Sequence, residues 1–117
     1  MGAKELRQKL LGYATPEPKP TGITIDGVEI FLRNPSIELR TKVFKFAGVR
    51  PGSDDLDFGR VQVGAALHLA CDSAGTPIFE ASDAEPMLAA PIGGDIERLG
   101  TLAAQALNVS PEKTEKN

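Results

Sequence analysis

The stretch "LDFGRVQVGAALHLACD", residues 56–72, carries apolar side chains on nearly every side of a helix. These side chains are Val61, Val63, Ala65, Ala66, Leu67, Leu69 and Ala70. A helix that is apolar all round lies buried among its neighbours. The sequence therefore predicts a central core helix from Leu56 to Asp72. Asp54, Asp55 and Asp57 stand at its N-terminal end, where the helix dipole favours negative charge.

A hairpin and a second helix precede this core element. In "ITIDGVEIFLR", apolar and polar residues alternate around Asp26-Gly27, a dipeptide that suits a two-residue hairpin turn. We expect a β-hairpin from Ile23 to Arg33. Either Asn34 or Ser36 then caps a helix from about Ile37 to Ala47, and Gly48 ends it.

The helix 37–47 has two apolar ridges, which implies two packing partners. One ridge comprises Leu39, Val43, Phe46 and Ala47. The other comprises Ile37 and Phe44, and Arg40 separates the two ridges. The spare ridge is a candidate surface for a partner protein.

The first residues predict a short amphipathic helix from Ala3 to Tyr13, with Ala3, Leu6, Leu10 and Tyr13 on one face. A helix of this length is marginal in water, so it requires a surface on its own domain or on a partner. The prolines of "ATPEPKPTG", residues 14–22, predict an extended tether behind it.

The acidic stretch "GTPIFEASDAEPML", residues 75–88, raises the question of a carboxylate pair for acid and base chemistry. Ser82 and Glu85 have the spacing of a capping box at the start of a brief helix. A catalytic pair needs unlike environments that separate the two pKa values, and an exposed helix start supplies none. Helix capping is the favoured interpretation. A last helix is expected from Asp95 to Asn108.

The fold class that follows is α+β and mainly α. We expect a small helical domain at residues 21–110 that contains the hairpin. Residues 1–20 form the amphipathic helix on its Pro-rich tether. The charged residues 111–117 lack an apolar anchor and are expected to be disordered.

Composition narrows the classes of function. The net charge of -3, with five Phe, one Tyr and no Trp, disfavours a nucleic-acid partner. The single Cys71 forms no intrachain disulfide and fits a reducing compartment. The N-terminus lacks the apolar run of a signal peptide, and no stretch has the length of a membrane span. A cytoplasmic protein without a membrane or nucleic-acid partner is expected.

His68, Cys71 and Asp72 are the residues that most resemble the start of a metal site. Zinc needs three or four ligands, and the chain has no other His or Cys. The same shortage weighs against a Ser-His-Asp or Cys-His nucleophile. We expect no metal, no cofactor and no catalytic residue. A small metal-dependent enzyme built on these three residues stays as a rival hypothesis.

The order of the segments resembles that of tail assembly chaperones of long-tailed bacteriophages and prophages. The matching segments are "KELRQKLL", the Pro-rich link, "GVEIFLRNPSIELR", the apolar helix, "SDAEPML", "IERLGTLAAQALNVS" and the end "EKTEKN". The turn pattern D-x-x-G-x-P-hydrophobic-F is matched by Asp72, Gly75, Pro77, Ile78 and Phe79. The resemblance covers nearly the whole chain.

The resemblance implies a non-catalytic chaperone in the host bacterial cytoplasm, absent from the mature virion. Its client is the tape-measure protein, which it keeps soluble for tail-tube assembly; the resemblance also allows contact with the tail-tube protein and homo-oligomers. The expected contact residues are Leu6, Leu10, Ile37, Arg40, Val43, Phe44 and Phe46, although each also suits a core position. The alternative function is a tail-completion or connector protein retained in the virion.

Overall fold

The computed structural model describes residues 2–12, 17–48 and 57–109. The elements, in chain order, are α1 (Ala3–Leu11), β1 (Lys19–Ile25), β2 (Val28–Leu32), α2 (Ile37–Ala47), α3 (Phe58–Leu69), β3 (Ala70–Cys71), α4 (Ala84–Leu88) and α5 (Asp95–Ala106). One turn of 3-10 helix, Ala81–Asp83, leads into α4. The strands form an antiparallel sheet in the order β1-β2-β3. The α+β, mainly α fold class is confirmed.

Helix α3 is the centre of the core, as its apolar pattern predicts. Val61, Ala65 and Leu69 are fully buried and pack with residues of α2 and α5. The opposite side of α3 packs on β1, α4 and the start of α5 through a second apolar cluster. Burial on both sides explains why so few polar residues interrupt this helix.

The predicted C-terminal end of α3 was wrong by three residues, because the chain changes to a third strand. Ala70 has extended backbone angles, and Ala70 and Cys71 pair with Leu32 and Phe31 of β2. The N–H of Arg33 donates to the Leu69 carbonyl at 2.7 Å. Hydrogen bonds to β2 thus replace those that a longer helix would make.

The hairpin is confirmed, and its first strand begins earlier than predicted. Asp26 and Gly27 have positive φ angles of 51° and 82°, which a type I′ turn requires. Strand β1 starts at Lys19, within the segment predicted to be a tether. Pro20 is tolerated there because β1 lies at the edge of the sheet.

The ends of α2 agree with the prediction and settle its cap. The Leu39 N–H donates to Oγ of Ser36 at 3.1 Å, while the side-chain amide of Asn34 donates instead to the Pro35 carbonyl. Gly48 ends the helix with a φ of 76°. Ser36, rather than Asn34, is therefore the capping residue.

The other helix ends show smaller differences. Helix α1 ends at Leu11, and α5 ends at Ala106 instead of Asn108. Asp57 caps α3 by accepting the Arg60 N–H at 3.1 Å. Tyr13, Asp54, Asp55 and the segment 111–117 lie outside the described residues.

The acidic stretch caps a helix start, but with other residues than predicted. The Ser82–Glu85 capping box was wrong, because the first turn begins two residues before Asp83 and leaves Ser82 inside it. The Glu80 N–H donates to the Asp83 carboxylate at 2.7 Å, and the Asp83 N–H donates to the Glu80 carbonyl at 2.9 Å. The carboxylate of Asp83 thus caps the start of the helix by accepting a backbone N–H.

Candidate partner-binding surface

The spare ridge of α2, Ile37 and Phe44, forms an exposed surface together with the adjacent Arg40; these three residues are here called the α2 ridge. Ile37 is 78% exposed, Arg40 is exposed, and Phe44 is half-buried against the core. A hollow of about 150 Å³ beside it is lined by Ile37, Arg40 and residues 106–108 at the end of α5. The α2 ridge therefore offers an aliphatic side chain, a partly exposed aromatic ring and a guanidinium group next to a shallow hollow.

Charges surround the apolar atoms of this ridge. Arg40, Lys42 and Lys45 lie on the exposed part of α2, and Lys42 pairs with Glu38 at 3.3 Å. An exposed i,i+4 pair of this kind contributes only about 0.3–0.5 kcal/mol to helix stability. The helix carries a net charge of +2 from three basic residues and Glu38. A partner with acidic and apolar residues would match it.

Two of the expected contact residues lie in or at the core. Val43 is 0% exposed and packs between α2 and α3, so it positions the ridge and offers no contact area itself. Phe46 is half-buried on the α3 side of α2. The Arg60 guanidinium lies 4.6 Å from the centre of the Phe46 ring, and its Nε donates to the Phe46 carbonyl at 3.3 Å. Arg60 therefore covers one face of this ring.

The two expected residues of α1 are open to solvent. Leu6 is 48% and Leu10 is 73% exposed, and no residue of α1 is buried. The structure thus does not bring α1 into the core. An amphipathic helix of nine residues without a surface to dock on is only marginally stable.

Sequence reasoning missed a second apolar surface, here called the acidic groove. It is a shallow groove of about 350 Å³ between the 3-10 turn, α4 and α5, lined by Ile78, Phe79, Asp83, Pro86, Met87 and Ile96. Ile78 is 45% exposed, and Met87 forms the buried floor. The available signal was charge: the segment 72–97 contains six acidic residues and no Lys or Arg.

Asp72 and Cys71, which resemble the start of a metal site in the sequence, have structural roles in the fold. The Asp72 carboxylate accepts the N–H groups of Ala74 and Thr76, each at 2.9 Å, and so closes the turn after β3. Burial raises the pKa of the Cys71 thiol, and the neighbouring Asp72 raises it further, whereas Arg33 lowers it. Within the described residues, no group of three His, Cys, Asp or Glu side chains is arranged to hold a metal ion.

His68 is half-buried near two cations. Desolvation lowers the pKa of its imidazole below 6.5, and Lys42 and then Arg33 lower it further by electrostatic repulsion. Each of these effects favours the neutral imidazole over the imidazolium. None of the helices in the described part of the chain has the length and apolar character that a membrane span requires.

Comparison with known proteins gives a likeness of structure. No family model and no curated protein sequence matches the chain. The fold is similar to that of the bacteriophage HK97 tail assembly chaperone, with a TM-score of 0.50 and 20% sequence identity. The likeness covers 86% of this chain and 99% of the HK97 chain. At the level of fold, the resemblance to a tail assembly chaperone of a long-tailed phage is confirmed.

Proposed function

We propose that the chain is a non-catalytic phage tail assembly chaperone that binds the tape-measure protein and keeps it soluble until the tail tube forms around it. The observation that supports this function is the fold shared with the HK97 tail assembly chaperone over 86% of the chain. The chaperone acts in the cytoplasm of the host bacterium and leaves before the virion is complete.

The proposed client surface consists of the α2 ridge together with Leu6 and Leu10 of α1. A tape-measure protein is a long helical chain whose apolar stripes aggregate when they are not covered. Ile37 and Phe44 lie one above the other along α2, which suits contact with an apolar stripe. Val43 and Phe46 support this surface from the core side.

The two parts of the proposed client surface, α1 and the α2 ridge, are attached to the domain in different ways. Helix α1 joins the domain through residues 12–18, whereas α2 is fixed by the core. Two linked contacts bind one long client more tightly than either contact alone, because the second contact forms at a high effective concentration. Contact with the tail-tube protein belongs to the same proposal, as the step in which the client is handed over.

Co-expression with the tape-measure protein from the same genome tests the proposal. We expect the tape-measure protein to move from the pellet to the supernatant and to co-purify with the chain in a pull-down. An insoluble and unbound tape-measure protein at equal expression would reject the chaperone function.

A pair of matched variants tests the surface. Ile37→Asp places a charge on the α2 ridge and should reduce the co-purified client by roughly tenfold, the loss expected for one well-packed aliphatic contact. Val28→Asp introduces the same charge at an aliphatic side chain that is 69% exposed in the hairpin, and it should bind like the wild type. Equal recovery of the client by both variants would remove the α2 ridge from the contact surface.

The virion distinguishes the alternative function. Quantitative mass spectrometry of purified particles should find the chain at far less than one copy per tail. A stoichiometric amount would instead support a tail-completion or connector protein.

A further inference from the structure

The acidic groove adjoins a second hollow of about 310 Å³, which lies between the start of α3, α4 and the loop before α5. The apolar residues that line this hollow include Val63, Met87, Leu88, Pro91, Ile92 and Ile96. Met87 and Ile96 also line the acidic groove. The acidic groove and the second hollow therefore form one elongated depression, here called the long groove.

Large aliphatic side chains of the long groove are open to solvent. Ile92 is 91% and Ile78 is 45% exposed, whereas Met87 lies buried at the floor that both hollows share. The loop that carries Ile92 is closed by a hydrogen bond, in which the Gly93 N–H donates to the Glu97 carboxylate at 2.8 Å. A hydrogen-bonded turn thus presents Ile92 to solvent, and its burial by a partner would be favourable.

Carboxylates surround these aliphatic side chains. Those that line the long groove are Asp57, Asp83 and Glu97. The exposed Glu80 and Glu85 directly adjoin lining residues in the sequence. The ion pairs found within the described residues are Glu38–Lys42 and Asp95–Arg98, which include none of these five carboxylates. The rim of the long groove is therefore negatively charged.

Among the described residues, the cation that lines the long groove is Arg60. Two of its guanidinium nitrogens donate to the Phe46 carbonyl, both at 3.3 Å, and the guanidinium lies over the Phe46 ring. Arg60 is thus engaged with α2 and leaves an excess of negative charge in the groove. A partner with basic and apolar side chains matches this surface.

The long groove and the α2 ridge differ in charge and in position. Helix α2 carries a net charge of +2, whereas the rim of the long groove is acidic. Residues 106–108 adjoin the α2 ridge, and Ile96 lines the long groove, so the two surfaces lie at opposite ends of α5. With a rise of 1.5 Å per residue, these ends are roughly 15 Å apart. A client segment whose charge suits one surface is therefore repelled by the other.

We propose that the long groove binds a basic amphipathic helix of the client. Apolar side chains on one face of that helix pack over Met87 and Ile96, and Lys or Arg side chains beside them contact the carboxylates of the rim. The helix comes from the tape-measure protein, so this inference rests on the proposed function. The α2 ridge and the long groove then select two client segments of opposite charge.

Two synthetic peptides test the charge class without the client. Each is an amphipathic helix of about 15 residues with Leu at i, i+4, i+7 and i+11. One peptide has Lys and the other has Glu beside the Leu stripe. By fluorescence anisotropy with the full chain at low salt, the Lys peptide should bind at least about tenfold more tightly than the Glu peptide. Added salt should reduce this difference, because exposed charges are screened.

Matched isoleucine variants locate the Lys peptide. Ile78→Gln and Ile92→Gln lie in the long groove and should each raise the dissociation constant by about fivefold, because an apolar contact is lost. Ile37→Gln makes the same change on the α2 ridge and should bind the Lys peptide like the wild type. All three side chains are exposed, so the variants should fold, which circular dichroism checks.

A second matched pair tests the rim and does not alter an apolar side chain. Glu85→Lys and Glu38→Lys change the net charge by the same amount, on the rim of the long groove and on α2 respectively. Glu85→Lys should weaken binding of the Lys peptide by about threefold, whereas Glu38→Lys should have a smaller effect.

The tape-measure protein separates failure of this inference from failure of the proposed function. In the co-expression assay, Ile78→Gln/Ile92→Gln should recover less client than the wild type, by at least about fivefold. Equal recovery by the wild type and this variant would overturn binding at the long groove and leave the chaperone function standing. A client that stays insoluble with the wild type would reject the chaperone function, and the peptides would still decide which charge class the groove binds.

Two peptide results would also overturn the proposal. One is equal affinity for the Lys and Glu peptides, or an equal loss of affinity in Ile37→Gln and Ile78→Gln. The other is a Lys peptide that binds only after Leu6→Asp/Leu10→Asp, because the basic helix α1 would then be the occupant of the groove.

Discussion

At the scale of single residues, Gly100 sets how closely α3 and α5 approach each other. A Cβ atom at this position would lie 2.9 Å from the carbonyl oxygen of Gln62 and 3.0 Å from its Cβ. These are backbone or near-backbone atoms, so the contact cannot be relieved by a rotamer change. Gly64 makes a similar approach to the Phe46 ring between α3 and α2.

Gly100→Ala should therefore lower the free energy of unfolding by about 1–3 kcal/mol, as overpacking commonly does, despite the better helix propensity of alanine. Urea denaturation measures this change. Gly59→Ala is the control, because its new Cβ would meet only the Asp57 carboxylate at 3.4 Å on the exposed face of α3. A Gly100→Ala protein as stable as the control would show that the two helices can separate without cost.

His68 should make stability depend on pH. Its folded pKa lies below the unfolded value of 6.5, so the unfolded chain binds more protons in the interval between them. The contribution of His68 to the free energy of unfolding is then fully present above pH 6.5 and is lost as the pH falls through this interval. The melting temperature of the wild type should fall from about pH 7.5 to about pH 5.5 by more than that of His68→Gln. Equal decreases for the two proteins would contradict a neutral, desolvated imidazole.

At the scale of secondary-structure elements, the capping residues decide where the short helices begin. Ser36 accepts the Leu39 N–H, whereas Ser82 lies within the 3-10 turn. The N–H at the start of that turn, from Glu80, donates to the Asp83 carboxylate instead. Both serines are exposed, so a substitution at either position changes little packing.

Ser36→Ala should lower the free energy of unfolding by about 1 kcal/mol, whereas Ser82→Ala should lower it by about 0.3 kcal/mol at most. Chemical denaturation of the two variants under the same conditions gives the comparison. A larger loss for Ser82→Ala would restore the capping box that the sequence predicted.

The sequence predicts most of the elements, for reasons that are local. The Asp26-Gly27 turn, the Ser36 cap and the Gly48 end require particular residue types, and the chain has them. Strand β3 could not be predicted in this way. Ala70 and Cys71 continue the apolar pattern of α3, and only pairing with β2, a contact distant in sequence, makes them extended.

The two apolar surfaces also differ in whether the sequence of a single segment predicts them. The exposed α2 ridge follows from the two-ridge pattern of one helix, which periodicity reveals. The acidic groove combines Ile78, Met87 and Ile96 from three segments, so no single periodicity contains it. The full burial of Val43 likewise depends on its contacts with α3, which is distant in sequence.

At the scale of the whole molecule, the chain combines a rigid core with apolar surfaces on its outside. The core clusters are centred on α3, whereas α1, the α2 ridge and the acidic groove expose apolar side chains. Exposed aliphatic groups cost solubility unless a partner covers them. This distribution fits a protein that works by contact with other chains.

The proposed function requires the chain to prevent aggregation of the tape-measure protein. The most direct measurement is light scattering after purified, denatured tape-measure protein is diluted into buffer with increasing amounts of the chain. Scattering should fall with the molar ratio of chain to client and reach a plateau, and Ile37→Asp should need a higher ratio than Val28→Asp. Scattering that is independent of the chain at every ratio would contradict the proposed chaperone function.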